Sequence, residues 1–211
     1  MDAISFTNGL HMIHCSESYR LKKMAKLCRG HDVLDIGFAQ YPNKFIEAEN
    51  LVGLDLEHSI PSENYKEVRI GDALQLPNPF EADSFDTVIA GELLEHVENP
   101  LELLRAIHKT LRPGGQLILS TPNPLSPPEL ICNIFLNKSI LYTREHITLY
   151  PQRWLLRMLD MAGFTSLRLL SGGLQFPFIG DGPFPAVGLI PWPRAFCYQT
   201  IAVAERQTKA G

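Results

Sequence analysis

Short apolar runs that each end beside a glycine or an acid recur along the chain, and they constrain its fold more than any other feature. The runs at 33–37 and 51–56 are examples, since the first ends in Gly37 and the second contains Asp55 near its end. Strands of a parallel sheet are buried on both faces and give continuous apolar runs of this length. We therefore predict seven strands, at 33–37, 51–56, 68–70, 85–90, 116–120, 167–170 and 197–204.

Apolar residues at steps of three and four predict helices between several of these strands. Proline stands at the start of two of them, at Pro42 and Pro151, and glycine ends others, at Gly30 and in the Pro-Gly-Gly sequence of 113–115. The predicted helices cover 18–28, 42–47, 101–111 and 154–162. Strand and helix patterns thus alternate along the whole chain, which predicts an α/β fold, a doubly wound sheet with helices on both faces.

Length and charge limit the classes of protein that this chain belongs to. Its 211 residues suit one large domain, and no break in composition marks a second, so 1–211 is predicted to be a single domain. A formal net charge of −4 argues against binding to nucleic-acid backbones. No apolar run approaches the roughly 18 residues of a membrane span. The first residues lack the basic stretch of a secretory signal, so we expect a cytoplasmic protein, of an oligomeric state that the sequence leaves open.

The cysteines and histidines show no metal-binding spacing. The four cysteines are dispersed and include no C-x-x-C pair, and the seven histidines include no H-E-x-x-H motif. Reduced thiols in the protein interior are the ordinary interpretation of such cysteines. We therefore expect no metal.

Two insertions, 122–150 and 172–195, interrupt the alternation. The first opens with several prolines, and the second is rich in proline, glycine and aromatic residues with only Asp181 and Arg194 as charges. Segments this long inside a compact domain are usually functional or disordered, and the apolar, aromatic composition argues against disorder. Two interpretations remain open, namely insertions packed over the sheet edge or a cover over a substrate pocket.

Acids and glycines stand at the ends of the predicted strands. Ligands of open α/β sheets bind outside the carboxyl ends of the strands. An acid at the end of the second strand is placed to accept hydrogen bonds from both ribose hydroxyls, and Asp55 lies 20 residues after Asp35, near the offset of the ribose acid in dinucleotide folds. Gly37 lets a ligand approach the backbone closely. Together with Asp72 after the third strand, these residues favour a ligand that contains a ribose.

Five segments carry a family resemblance: VLDIG at 33–37, GLD at 53–55, GDALQLP at 71–77, FDTVI at 85–89 and LRPGG at 111–115. In order and spacing they resemble class I S-adenosylmethionine-dependent methyltransferases. The chain is most similar to the small-molecule branch (type 11) that includes the ubiquinone and menaquinone biosynthesis enzymes. The segments ELLEHV at 92–97 and EHITLYP at 145–151 also resemble this branch. The resemblance covers roughly 20–170. It implies a Rossmann-like, seven-stranded, mostly parallel sheet with an antiparallel last strand.

The resemblance also implies S-adenosyl-L-methionine as cofactor and assigns nine residues to it. The ends of the first and fourth strands would hold the methionine moiety, the end of the second strand the ribose, and the ends of the second and third strands the adenine. The residues so implied are Asp35, Gly37, Phe38 of the same loop, Gly91 and Glu92 for the methionine moiety, Asp55 for the ribose, and Leu56, Asp72 and Ala73 for the adenine.

The glycine loop departs from the family pattern. The family has D-x-G-x-G-x-G, whereas this chain has Ala39 and Tyr41 at the second and third glycine positions. Alanine adds one methyl group, but Tyr41 followed by Pro42 implies a differently shaped entry to the next segment. Cofactor affinity and catalytic competence depend on this loop, while the fold does not.

Two histidines are the predicted catalytic residues. Methyl transfer from a sulfonium depends mainly on alignment, but a hydroxyl acceptor benefits from a general base, and histidine suits that role. His146 and His96 are the candidates, with Glu92 a lesser one. Each histidine also has a structural interpretation: His146 would bond to backbone near a helix start, and His96 would anchor the segment after the fourth strand.

Three functions follow, of which the first has the most support and the third has more than the second. The first is an S-adenosylmethionine-dependent methyltransferase that acts on a small molecule, with oxygen as the predicted acceptor atom. The second, a nicotinamide-dependent oxidoreductase, lacks its G-x-G-x-x-G loop at 37–42. The third is a methyltransferase-like domain that binds cofactor weakly and acts as a partner subunit, which the altered loop and the apolar stretch 172–193 suggest. The identity of the acceptor stays open.

Overall fold

The computed structural model describes residues 9–12, 17–57, 63–173, 189–192 and 194–208. Within these ranges the chain forms four α-helices and nine β-strands. The helices are α1 (Glu17–Leu27), α2 (Pro100–Thr110), α3 (Pro127–Leu136) and α4 (Gln152–Met161). The strands are β1 (Gly9–Met12), β2 (Asp32–Ile36), β3 (Asn50–Asp55), β4 (Glu67–Ile70), β5 (Phe85–Gly91), β6 (Leu111–Pro122), β7 (Phe164–Ser171), β8 (Leu189–Trp192) and β9 (Gln199–Arg206).

Seven of these strands form one mixed sheet in the order β4-β3-β2-β5-β6-β9-β7. The five strands from β4 to β6 are parallel, and β9 runs antiparallel to both of its neighbours. The predicted seven-stranded, mostly parallel sheet with an antiparallel last strand is confirmed. Strand order reverses between β2 and β5, the position at which doubly wound sheets bind ligands. Strands β1 and β8 pair separately as an antiparallel two-stranded sheet.

Helices cover both faces of the sheet, as the alternation predicts. On one face Leu34 and Leu117 pack with residues of α2 and α4. On the other face Val33 and Ile118 pack with Met24 of α1. Alternate residues of the same strands thus belong to two different cores, so each central strand is buried on both sides.

The prediction of a helix at 42–47 is wrong. The chain between β2 and β3 contains no helix, because Asn43 holds it in a turn. The Asn43 side-chain oxygen accepts a hydrogen bond from the Phe45 amide, its amide nitrogen donates to the Leu21 carbonyl, and its backbone amide donates to the hydroxyl of Tyr65. An asparagine that bonds to the backbone two residues on favours a turn over a helix.

The predicted end of α2 is also wrong, because this helix stops at Thr110 and β6 begins directly at Leu111. The Pro-Gly-Gly sequence at 113–115 therefore lies inside a strand. Pairing between β5 and β6 shifts register at this point, which accommodates the irregular backbone around Gly114. The side chain of Arg206 donates to the carbonyls of His108 and Lys109, so the end of the helix is capped by a long-range contact.

The two insertions differ in what the structure describes. The first contains α3, which the sequence analysis did not predict, and a loop from 137 to 151. Most of the second, 174–188 and residue 193, lies outside the described residues, so its predicted role as a cover stays a prediction. None of the helices in the described part is long and apolar enough to cross a membrane. The cytoplasmic location stays a prediction.

One carboxylate of β2 lies inside the protein. Asp35 is buried, and the Tyr65 hydroxyl donates a 2.6 Å hydrogen bond to it. Burial raises the pKa of Asp35 to about 7, although the Tyr65 hydrogen bond and the positive charge of Arg20 oppose this rise, while the Asp55 carboxylate adds to it. An unfolded aspartate titrates near pH 3.9.

Replacement of this carboxylate is expected to change the pH dependence of stability. Between about pH 4 and pH 7 the folded state retains a proton that the unfolded state has released, so stability falls as the pH rises through this window. Asp35→Asn removes this term, and the variant should gain stability relative to the wild type from pH 4.5 to pH 8 in urea unfolding. Asp160→Asn, at an exposed ion pair on α4, is the control, and its free energy of unfolding should change with pH as that of the wild type does. If the free energy of unfolding of Asp35→Asn changed with pH in the same way as that of the wild type, the raised pKa of Asp35 would be contradicted.

Candidate functional site

A cavity of about 290 Å³ opens at the carboxyl ends of β2, β3 and β4. The parallel register places Ile36 beside Leu54 and Asp55 beside Ile70, so that the residues following these strands meet at one edge. Five of the nine predicted cofactor residues line this cavity. They are Gly37, Asp55, Leu56, Asp72 and Ala73.

Gly37 forms one wall of the cavity in a backbone conformation that favours glycine. Its φ is +72°, and a Cβ at this position would lie 3.2 Å from the Cδ1 atom of Leu93. Its amide donates to the Leu54 carbonyl at 2.9 Å, which ties the first loop residue to the neighbouring strand. A side chain at residue 37 would therefore strain the backbone and crowd the cavity wall.

Asp55 projects from the end of β3 and binds the altered glycine loop. Its Oδ2 atom accepts a 2.8 Å hydrogen bond from the Ala39 amide, and its Oδ1 atom accepts from the Glu57 amide at 3.1 Å. An ionised carboxylate has about four acceptor positions. Among the described residues two positions thus remain without a donor, which is the number that a ribose diol requires.

The side of the cavity that is predicted to hold the adenine combines an anchored acid with an exposed leucine. Asp72 accepts a hydrogen bond from the Leu74 amide at 2.9 Å and caps the short 3₁₀ turn Ala73–Gln75. Leu56 has 70% of its surface exposed, so its side chain is available to a flat apolar ring. These residues present both polar and apolar surface, as recognition of a nucleobase requires.

Two predicted cofactor residues lie behind the cavity rather than in its lining. Asp35 is buried against Tyr65, as described above. The Phe38 ring packs in the core with its centroid 5.0 Å from that of Tyr65. A Cβ on Gly53 would lie 2.6 Å from the Phe38 ring, so the missing side chain of residue 53 makes room for this ring. Their direct contact with a cofactor stays a prediction, and in the structure both contact Tyr65.

Gly91 and Glu92 form a second group at the ends of β5 and β6. Glu92 has a φ of +52°, and its carboxylate accepts hydrogen bonds from Ser120 Oγ at 2.9 Å and from Gln199 Nε2 at 3.3 Å. The guanidinium of Arg20 donates to Ser120 at 2.9 Å and would meet a Cβ on Gly91 at 2.7 Å. Because Gly91 has no side chain, the guanidinium of Arg20 can lie directly beside the backbone of β5.

Arg20 is a candidate site residue that no sequence pattern indicated. Its side chain comes from α1 and has only 3% of its surface exposed. A buried cation beside the predicted methionine region complements a carboxylate. No spacing rule relates Arg20 to Ser120, since 100 residues separate them.

Glu95 is a second buried acid next to this group. Its Oε2 atom accepts a hydrogen bond from Thr121 at 3.1 Å, whereas its Oε1 atom has no hydrogen-bond partner among the described residues. Burial and the neighbouring Glu92 carboxylate raise the pKa of Glu95 above its usual range. The backbone carbonyl of Glu95 accepts from the Ile147 amide at 2.7 Å, which ties the first insertion to the end of β5.

The structure brings the two predicted catalytic histidines together. The rings of His96 and His146 lie edge to face, with their centroids 4.8 Å apart. Nδ1 of His96 lies 3.1 Å from the Glu145 carbonyl, and Nδ1 of His146 lies 2.7 Å from the Leu141 carbonyl. Burial lowers the pKa of His96, and the nearby His146 lowers it further. His96 also lines the cavity, so the pair stands beside the predicted cofactor site.

A buried glutamate in α3 fixes the loop that carries His146. Glu129 accepts hydrogen bonds from the backbone amides of Ile140 and Leu141 and from the hydroxyl of Ser139. These contacts place the Leu141 carbonyl, which in turn orients the ring of His146. The first insertion thus supplies a positioned side chain to the site. Its role as a cover over a substrate pocket stays a prediction.

Comparison with known proteins connects this geometry to a family. A family described as a methyltransferase domain matches residues 20–169. Erythromycin 3''-O-methyltransferase of Saccharopolyspora erythraea is 30% identical over 131 residues, which are 56% of this chain and 43% of that protein. Ubiquinone biosynthesis O-methyltransferase of Xanthomonas campestris is 40% identical over 76 residues, 36% of this chain and 31% of that protein. The chain thus matches less than half the length of these relatives.

Solved structures agree in fold. A SAM-dependent methyltransferase from Thermotoga maritima superposes with a TM-score of 0.67 at 18% identity, covering 90% of this chain and 88% of that one. One from Archaeoglobus fulgidus gives a TM-score of 0.65 at 17% identity, covering 90% and 92%. With the strand order and the acids at the strand ends, the match over residues 20–169 shows that the chain belongs to the S-adenosylmethionine-dependent methyltransferase domains, whose cofactor is S-adenosyl-L-methionine.

Proposed function

We propose that this protein transfers a methyl group from S-adenosyl-L-methionine to an oxygen atom of a small molecule. The observation that carries the proposal is the cavity at the ends of β2, β3 and β4, with Asp55 and Asp72 in its lining and the two histidines at its border. The two partial relatives compared above are both O-methyltransferases by name, which favours oxygen over nitrogen or carbon.

The residues present fit this cofactor. Asp55 would accept hydrogen bonds from the ribose hydroxyls at its two remaining acceptor positions. Leu56, Asp72 and Ala73 would surround the adenine. Arg20, beside Gly91 and Glu92, would face the carboxylate of the methionine moiety. When bound, the cofactor supplies a methyl group on a positively charged sulfur, which leaves as a neutral thioether. The chain then has mainly to align the acceptor with that methyl group, which accounts for roughly 7–11 kcal/mol in favourable cases.

The acceptor would reach the site from the side of the first insertion. Helix α3 exposes a row of large apolar side chains on its surface, and Tyr142 in the following loop is also exposed. The exposed residues of α3 are Ile131, Ile134, Phe135 and Leu136. These residues would cover an acceptor with an apolar part, and His96 and His146 would lie near the hydroxyl that loses its proton. A cavity with apolar walls and few polar groups is the usual form of a small-molecule site.

Asp55→Ala is expected to weaken binding of S-adenosylmethionine more than tenfold. The substitution removes both acceptors of the ribose hydroxyls and releases the Ala39 amide from its partner. Isothermal titration calorimetry with S-adenosylmethionine and S-adenosylhomocysteine measures the effect. Glu49→Ala, at an exposed ion pair far from the cavity, is the control and should bind as the wild type does. An unchanged affinity of Asp55→Ala would mean that the ribose is held elsewhere.

The same titration tests the proposed function itself. If the wild-type chain binds neither compound at millimolar concentration, the enzyme proposal fails. That outcome would favour the alternative of a methyltransferase-like domain that acts as a partner subunit, to which the altered loop at Ala39 and Tyr41 points. If both compounds bind, incorporation of radioactive methyl groups from S-adenosylmethionine into a metabolite extract will identify the acceptor and the methylated atom.

His146→Ala is expected to lower turnover of the identified acceptor by about 100-fold or more, the usual contribution of a group that promotes proton removal. Cofactor affinity should stay within twofold of the wild type, since His146 is not part of the cavity lining. His31→Ala removes an exposed histidine paired with Glu49 and should leave both quantities unchanged. Equal turnover of His146→Ala and the wild type would remove this histidine from the reaction.

A further inference from the structure

One carboxylate and two imidazoles converge at the border of the cavity. An oxygen of Glu95 and one ring nitrogen each of His96 and His146 all lie within 4.8 Å of one another. Ligand atoms at about 2.0–2.2 Å from a tetrahedral ion lie about 3.3–3.6 Å apart. Side-chain rotations that shorten the separations by roughly 1 Å would therefore bring all three into the coordination sphere of one cation.

The orientation of both histidines leaves one ring nitrogen of each with a lone pair for a cation. Nδ1 of each ring lies within hydrogen-bond distance of a backbone carbonyl, that of Glu145 or that of Leu141. A carbonyl accepts and does not donate, so Nδ1 carries the proton in the neutral ring and Nε2 keeps its lone pair. Histidine ligands of metals are oriented in this way, by a bond from the second ring nitrogen to a carbonyl or carboxylate.

The buried glutamate gives an independent indication. Glu95 has no exposed surface, and its Oε1 atom has no hydrogen-bond partner in the described part of the chain. A buried carboxylate oxygen without a partner is costly, and such groups are ordinarily paired or bound to a metal. Glu92 adds a second negative charge nearby, which Arg20 partly balances.

We propose that Glu95, His96 and His146 bind a divalent transition-metal cation that holds the oxygen of the methyl acceptor. Two imidazole nitrogens and one carboxylate oxygen suit Zn²⁺, Co²⁺ or Mn²⁺ better than Mg²⁺ or Ca²⁺, which prefer oxygen ligands throughout. Three protein ligands leave at least one coordination position for a substrate. This inference rests on the proposed function for the identity of its substrate, and it departs from the expectation of no metal.

With their lone pairs on the cation, the two histidines would activate the acceptor oxygen through the metal rather than as free bases. Coordination lowers the pKa of a hydroxyl group, so the acceptor releases its proton to solvent at neutral pH. In the transfer its oxygen forms a bond to the methyl carbon, and the electron pair of the broken carbon–sulfur bond stays on the sulfur. No oxidant or reductant takes part.

Titration of the metal-stripped chain with Co²⁺, without S-adenosylmethionine, tests the site through the visible absorption of bound Co²⁺. We expect one Co²⁺ per chain and binding at least tenfold weaker in His146→Ala and in Glu95→Gln. His31→Ala, which removes another histidine beside a glutamate, should bind as the wild type does. Mg²⁺ should fail to displace the bound Co²⁺ at equal concentration, whereas Zn²⁺ should displace it.

Thermal unfolding distinguishes a variant that has lost the metal site from one that fails to fold. Zn²⁺ should raise the melting temperature of the wild type and of His31→Ala, but not that of His146→Ala, whose side chain belongs to a surface loop. If Glu95→Gln does not fold, His96→Ala takes its place. Saturable Co²⁺ binding that is the same in the wild type and in the ligand variants, or no saturable binding up to millimolar concentration, would overturn the proposal. Failure of S-adenosylmethionine to bind would overturn the proposed function and leave the metal site standing.

Discussion

The parallel register of the five strands from β4 to β6 is the constraint on which the rest of this structure depends. Because the strands run in one direction, their carboxyl ends meet at one edge of the sheet, and whatever follows each strand is brought there. Gly37, Asp55 and Asp72 are separated widely in sequence but line one cavity for this reason. Glu92 reaches the same edge from β5, where Ser120 of the adjacent strand binds its carboxylate.

Much of this arrangement could be predicted because it is local. Strands such as β2 and β5 are buried on both faces, so their sequences are largely apolar and stand out from the rest of the chain. Helix α4 shows its buried stripe at helical spacing after Pro151. The acids at the strand ends could also be predicted, since a charged residue directly after an apolar run is recognised from the neighbouring residues alone.

The parts that the sequence did not reveal depend on contacts across long separations. Asn43 prevents a helix because Tyr65 and the Leu21 carbonyl hold it in a turn. The end of α2 is set by Arg206, and the buried cation Arg20 is placed by Ser120. The convergence of Glu95, His96 and His146 is a further example, because metal-ligand motifs are recognised by close spacing and His146 lies in a different segment.

The altered glycine loop is consistent with the cofactor for an electrostatic reason. In dinucleotide folds the glycines lead into a helix whose N-terminus binds a pyrophosphate, and that helix is absent here between β2 and β3. S-adenosylmethionine has no phosphate and carries positive charges on its sulfur and amino group, so a helix N-terminus is not what it requires. Carboxylates serve it better, and the Ala39 amide is bound to one of them, Asp55. The loop thus positions the acid that we propose binds the ribose, a role that needs a backbone amide at residue 39 but no glycine.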